Sequence, residues 1–399
     1  MNAIVLDGQL KSALTIVRSL GETGIFVSTG GERMTGMALH SRFTKARFTY
    51  PSPYTDQEGF VRAVRAEAIR MGGKPVVYAL SDATYLSLYS AREVLKNDMV
   101  LVFPESKSIE IAFDKGATYS LARVSGVPTI TTHMPVTLEE VDQLGMTLSY
   151  PAVIKPRKSV SWKNGRGVFG SAEYVHTALD LKNAFMRLKD VHDEPPLVQE
   201  RITGEEYGVE MIAHAGTPVA LVVHHRIRSL SPSGGASVVK EIVPSGVLYE
   251  MLVENAKKLV SALMWEGPIM VEFKVDSDSR MPLLMEINGR FWGSLPLSVM
   301  AGVNMPYIQY LLSREEKLPE TCTVPKNVIT SRHFWGDVRY LASVFFTHDR
   351  MRAYTYPSRR TALRAFCNLP RGTRSDVWDM HDALPALFEI IDIMNRLWK

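Results

Sequence analysis

The segment MVEFKVDSDSRMPLLMEINGRFWG places Glu272, Glu286, Asn288 and Arg290 within nineteen positions of one another, two carboxylates followed by an amide and a guanidinium. Apolar residues alternate on both sides of the polar turn Asp276 to Arg280, so the segment reads as a β-hairpin. The midpoint of 272 and 286 is Ser279, inside the turn, and a hairpin closed there sets the two glutamates opposite each other. Like charges facing across a sheet are destabilising. The arrangement makes sense when a divalent cation lies between them, and Asn288 on the same face adds a neutral oxygen, the hard donor set that magnesium prefers. Arg290, following the permissive Gly289, presents a permanent cation to a transferred phosphoryl group or a carboxylate. An exposed hairpin with merely solvated charges shares this pattern, so neighbouring segments decide between the two.

In Ala152-Val-Ile-Lys155, a lysine ends an apolar strand that Pro156 prevents from continuing. An ammonium group among apolar neighbours is costly without an anion, and a phosphate would supply one. A stretch from Asn164 to Ser171 follows, with glycines at 165, 167 and 170, and is expected to be a flexible loop able to lay backbone N–H groups over phosphates. It also spells G-x-G-x-x-G, but neither a strand directly before it nor a helix opening at it is present, which argues against a dinucleotide site. Further on, Leu197-Val-Gln199-Glu200-Arg-Ile202-Thr-Gly204-Glu205-Glu206 runs from an apolar strand into a polar turn. Its backbone can read an adenine edge and its acidic pair can accept from ribose hydroxyls, though a charged turn with no ligand looks the same. Strand alternation places His224, Arg226 and Arg228 on one face, so they are expected to lie near one another.

In this order the segments resemble the ATP-grasp superfamily over about residues 1–315, and in particular its predicted carboxylate-amine ligases. The resemblance implies an ATP-grasp fold of α/β and α+β character, with an N-terminal Rossmann-like pre-ATP-grasp domain. It implies that Lys115 and Lys155 contact ATP phosphates and that the loop of Gly165 and Gly167 covers them. Gln199 and the backbone of Glu200 and Ile202 would hold adenine, and Glu206, or its neighbour Glu205, the ribose. Glu272, Glu286 and Asn288 would bind Mg²⁺, or Mn²⁺ in its place. Arg290 would steady an acyl phosphate, with Arg226 bordering it. The reaction implied is ATP-dependent joining of a carboxylate to an amine, with amino acids among the candidate substrates. A bicarbonate-using carboxylase or carbamoyl-phosphate type of synthetase is the second reading, and an ATP-binding module without turnover the third.

These residues need elements to carry them. Residues 1–112 alternate strand and helix, including a helix at Gln57 to Met71 and strands at Val76 to Leu80 and Val100 to Phe103, which predicts a parallel α/β domain. Residues 113–320 read as an α+β unit, with a lid portion near 120–197. Residues 321–399 read as mostly helical, from His333 through Phe345 and from Asp382 to Trp398.

A chain of 399 residues has room for two or three packed domains. No apolar run is long enough for a membrane span and Asp7 interrupts the N-terminus, so the expected location is the cytoplasm. Cys322 and Cys367 are isolated, which points away from zinc and from a disulfide framework. A net charge of +4 is too small to suggest nucleic-acid binding, and the arginines at 359, 360, 364, 371 and 374 read as a solvated face. Whether the chain forms a homodimer is left open.

Overall fold

The computed structural model describes residues 1–163, 165–192, 194–318, 328–346 and 356–397. Cys322, Asn164 and Trp398 lie outside them.

The chain opens with β1 (Asn2–Val5), α1 (Lys11–Glu22), β2 (Phe26–Gly31), β3 (Thr44–Thr49), α2 (Gln57–Met71), β4 (Val76–Tyr78), α3 (Asp82–Ser90) and the single turn α4 (Arg92–Leu95). The four strands are parallel in the order β3-β2-β1-β4. Because the chain winds outward from β1 in one direction and returns with β4 on the other side, a crevice opens beyond the carboxyl ends of β1 and β4. Asp7 lies two residues beyond the end of β1, and Asp82, four residues beyond β4, opens α3. The helix expected at Gln57 to Met71 forms over those residues, capped by Asp56 accepting from the Gly59 amide. The strand expected at Val100 to Phe103 does not form; Val100 makes an isolated bridge to Val76. Pro104 follows at once and lacks the N–H needed to extend a ladder. Strand β3 was not anticipated, because only Phe48 among its six residues is a large apolar residue; Lys45 and Arg47 form its exposed face and suit a sheet edge.

Two helices, α5 (Ser106–Phe113) and α6 (Lys115–Val124), lead into a smaller unit: β5 (Thr132–His133), α7 (Leu138–Thr147), β6 (Ala152–Lys155), β7 (Val160–Lys163), β8 (Arg166–Phe169), β9 (Glu173–Val175), α8 (Ala178–His192) and β10 (Leu197–Glu200). Strands β5, β10, β6 and β9 form an antiparallel sheet in that order. Helices α7 and α8 pack on it through Val141, Leu181, Phe185 and Leu188. The glycine-rich segment is a hairpin, β7 paired with β8, rather than a loop. The signal was present in the sequence: Asn164-Gly165 is a favoured two-residue hairpin turn, and Gly165 adopts φ of 74°.

The largest sheet is built from β11 (Gly204–His214), β12 (Thr217–Ser231), β13 (Gly234–Ile242), β14 (Gly267–Asp276) and β15 (Pro282–Asn288), with α9 (Val247–Ala262) buried against it through Leu252, Ala256, Leu259 and Val260. Helices α10 (Leu295–Met300) and α11 (Met305–Ser313) pack against α1. The remaining elements are β16 (Thr330–Arg332), α12 (Phe334–Phe346), α13 (Arg359–Cys367), β17 (Arg374–Ser375) and α14 (Leu384–Leu397). The C-terminal region is helical, as expected, but it also supplies β16 and β17, which complete the order β15-β14-β11-β12-β13-β16-β17. It reaches back to the first domain as well. Asp382 accepts from Arg18, Ser41 and the Arg42 amide, and His40 stacks on Phe388. No helix among the described residues is long and apolar enough to cross a membrane.

Candidate functional site

Glu272 faces Glu286 across the β14–β15 hairpin, but for a reason the midpoint argument missed. Near the turn the pairs are Val275 with Pro282 and Phe273 with Leu284, a register that would bring Met285 opposite Glu272. The register shifts between Glu272 and Phe273, and Met285 is the extra residue on the returning strand. This bulge turns Glu286 onto the same face as Glu272.

On the neighbouring strand Gly208 pairs with Glu272 on one side and with His224 on the other. A Cβ at 208 would sit 2.3 Å from the His224 ring, so only glycine lets the imidazole lie across the sheet. His224 pairs with buried Glu210 at 3.0 Å. In the adjacent row Glu206 lies between two cations, Lys274 and Arg226, and Arg226 is followed by a third, Lys240. Arg226 donates to Glu206 and to Glu272, each at 2.7 Å, and to the Ser237 hydroxyl at 2.7 Å. Burial works to raise the Glu206 carboxyl, but Arg226 and Lys274 outweigh it and hold it below its ordinary value. Burial also works to raise Glu272; there Arg226 opposes, Glu286 and Glu206 add to the rise, and the carboxyl ends above its ordinary value. Arg228 does not join this face. The register slips between Arg226 and Arg228, and Arg228 turns to Asp337 and the Ala365 carbonyl on the C-terminal helices.

Two lysines approach from the other side. Lys155, 8% exposed at the end of β6, donates to the Tyr119 hydroxyl at 2.9 Å. Lys115, first residue of α6, donates to Ser159 at 2.8 Å. Burial lowers the Lys115 ammonium below its ordinary value, with Glu286 opposing and Lys155 adding, so the two lysines and Glu286 share one field. Arg290 is held by Asp82 at 2.5 Å, and burial, which alone would lower its guanidinium, is outweighed by that carboxylate. Asp82 stands at the crevice of the parallel sheet, so Arg290 links that crevice to the hairpin.

Among the described residues no three His, Cys, Asp or Glu side chains are grouped so as to hold a metal by themselves. Two opposed carboxylates beside lysines nonetheless fit a magnesium ion that takes its other ligands from phosphate and water. The Asn288 amide donates to Glu272 at 3.1 Å and to Glu286 at 3.4 Å, while its oxygen accepts from Arg290. Gln199 is buried and donates to Thr132 at 2.7 Å; the Glu200 amide donates to the Thr131 carbonyl, and Ile202 lies in the short link before β11. The Gly167 amide donates to the Tyr54 carbonyl at 2.7 Å, so the lid hairpin rests on the first domain. Gly165 is at its exposed tip.

Sequence reasoning missed Asp82, Lys274, Tyr119 and Ser159. Lys274 lies two residues from Glu272 on one strand, and Tyr119 lies one helical turn from Lys115, so both were open to periodicity. Asp82 and Ser159 meet their partners only through the tertiary fold.

Residues 192–333 match the family model described as ATP-grasp in the biosynthetic pathway with Ter operon. The carbamoyl phosphate synthase large chain of Agathobacter rectalis is 23% identical over 214 residues, which cover 53% of this chain and 19% of that protein. The chain thus spans about a fifth of the length of the curated relatives it matches. Among solved structures, the biotin carboxylase–βγ-ATP complex of Campylobacter jejuni superposes with a TM-score of 0.67 at 17% identity, covering 82% of this chain and 74% of that one. The L-amino acid ligase of Bacillus licheniformis gives 0.61 at 18% identity, covering 82% and 78%.

Proposed function

Because the chain has an ATP-grasp fold and residues 192–333 match an ATP-grasp family model, we propose that it is an ATP-dependent ligase that activates a carboxylate as an acyl phosphate and passes the acyl group to a nitrogen nucleophile, releasing ADP and phosphate. The observation that carries the reading is the opposition of Glu272 and Glu286 with Lys115 and Lys155 beside them, an anionic pair next to two ammonium groups whose hydrogen-bond partners among the described residues are hydroxyls. That arrangement suits Mg-ATP, with Glu272, Glu286 and the Asn288 oxygen toward Mg²⁺ or Mn²⁺ and the lysines toward phosphate. When bound, the ion supplies charge neutralisation at the phosphates. Gln199 and the backbone of Glu200 and Ile202 would border adenine, and Glu206, already ion-paired on the same face, the ribose.

In the first step a substrate carboxylate oxygen attacks the γ-phosphorus and the bond to the β,γ-bridging oxygen breaks, so ADP leaves. In the second, an amine nitrogen attacks the acyl carbon, phosphate departs with the C–O bonding pair, and the nitrogen gives up a proton. Arg290 and Arg226 would hold the acyl group, and the lid hairpin of Gly165 and Gly167 would limit water. The reported L-amino acid ligase makes amino acids the first substrates to try. Similarity to carbamoyl phosphate synthase favours bicarbonate as the alternative acid.

The test is ADP and phosphate release from Mg-ATP against amino acids, small carboxylates and labelled bicarbonate, singly and with amines, with mass spectrometry of the products. Acid-dependent release with a condensed product supports the ligase. Label retained from bicarbonate moves the reading to the carboxylase type, and ATP binding without release under any pairing leaves only the module.

A further inference from the structure

Tyr119 stands where three parts of the site meet. It projects from α6, one turn beyond Lys115, and its ring packs in the core that also holds Leu197 and Leu284. Its hydroxyl accepts from the Lys155 ammonium at 2.9 Å and donates to the Met285 carbonyl at 2.5 Å. The ammonium also lies 5.3 Å from the ring centroid, within reach of its negative face. Met285 is the bulge residue that turns Glu286 onto the site face, and a bulge leaves its own backbone groups outside the ladder. The tyrosine hydroxyl therefore satisfies that carbonyl and fixes the lysine with one oxygen.

The chemistry of the partner matters as much as its position. Buried ammonium groups are ordinarily met by carboxylates. Here Glu286, the strongest attraction acting on neighbouring Lys115, is close by, and Lys155 nonetheless rests on a neutral phenol. A phenol orients the lysine without cancelling its charge, which stays available to an anion.

We propose that Tyr119 is a positioning residue for nucleotide phosphates, its hydroxyl fixing the Lys155 ammonium and the bulge before Glu286 in one geometry. This rests on the nucleotide-binding reading above, and the experiment separates the two. Dissociation constants for Mg-ATP and for adenosine are measured by calorimetry on the full chain as wild type, Tyr119→Phe, Lys155→Ala and the double variant. Phenylalanine keeps the packed ring, and melting without ligand monitors the fold. Tyr119→Phe is expected to weaken Mg-ATP by about tenfold, the scale of one lost hydrogen bond to a charged group, and to leave adenosine unchanged. In the Lys155→Ala background the same change is expected to cost about threefold or less, since one of its two targets is gone. Unchanged or tighter Mg-ATP binding by Tyr119→Phe would overturn the proposal, as would an equal loss for adenosine or an undiminished penalty without Lys155. Wild type that binds no Mg-ATP would overturn the nucleotide reading itself, and this inference with it.

Discussion

Two clusters of buried charge lie along the same sheet, and they are built on opposite plans. In the first, Arg226 joins Glu206 and Glu272, Lys274 also reaches Glu206, and Glu286 stands opposite, so two cations on the sheet serve three carboxylates. In the second, Asp376 after β17 joins Lys11 of α1 to Lys240 of β13, so one carboxylate serves two ammonium groups. The first keeps a path to solvent: the Arg226 and Glu272 side chains are each 13% exposed and Glu206 22%. The second is sealed at its centre, where Lys240 and Asp376 are wholly covered, and only Lys11, 10% exposed, reaches its rim. A charge surplus that solvent can reach can be answered by a ligand. A sealed one can only be answered by the fold, and here it fastens the C-terminal region and the first domain to the central sheet.

The largest effect expected from breaking this contrast is on the open side. Glu286→Gln should reduce turnover by about a thousandfold. Its melting temperature should stay within a few degrees of wild type, because the change removes one of two facing like charges. Full activity in that variant would end the assignment of the pair to metal.

On the sealed side the loss should fall on stability. Asp376→Asn leaves two buried ammonium groups without their shared anion, and denaturant unfolding should show a loss of about 3–5 kcal/mol. Magnesium should restore none of it. Arg226→Met tests the same logic in the open cluster: about 2 kcal/mol should be lost, since water reaches the stranded carboxylates, and millimolar Mg²⁺ should recover most of it. Equal behaviour of the two variants toward magnesium would show that the distinction between the clusters is false.

How much of this was legible in the sequence follows the range of the interactions. Helix α2 was readable because its apolar spacing and Asp56 cap are local, and the hairpin of Glu272 and Glu286 because strand alternation on both sides of one turn is local too. The bulge at Met285 was hidden, since nothing in the sequence distinguishes a strand with one extra residue from a turn closed one position later. The slip that diverts Arg228 was hidden for the same reason, and strict alternation placed it wrongly beside Arg226. Lys11 and Asp376 are separated by 365 positions, and no periodicity spans that distance. The opposed carboxylates could be inferred, with Asn288 and Arg226 beside them, but Asp82 and Ser159, which meet the site only through the tertiary fold, could not.

The smallest effect concerns Lys240, and its sign follows from the burial that separates the two clusters. Burial lowers the ammonium to about 7, with Asp376 opposing and Lys11 adding, against an ordinary value of 10.5. Between those values the unfolded chain binds more protons than the folded one, so this residue's contribution to stability rises with pH across that window and is flat below it. Lys240→Met removes the titrating group while Lys11 still serves Asp376, so stability near neutral pH should change little. The stability difference between wild type and variant, measured by urea unfolding from pH 7 to pH 10, should therefore shift in favour of wild type as pH rises. A difference that stays constant would mean that Lys240 titrates as an ordinary surface lysine, and the cluster around it would then be open to water like its counterpart.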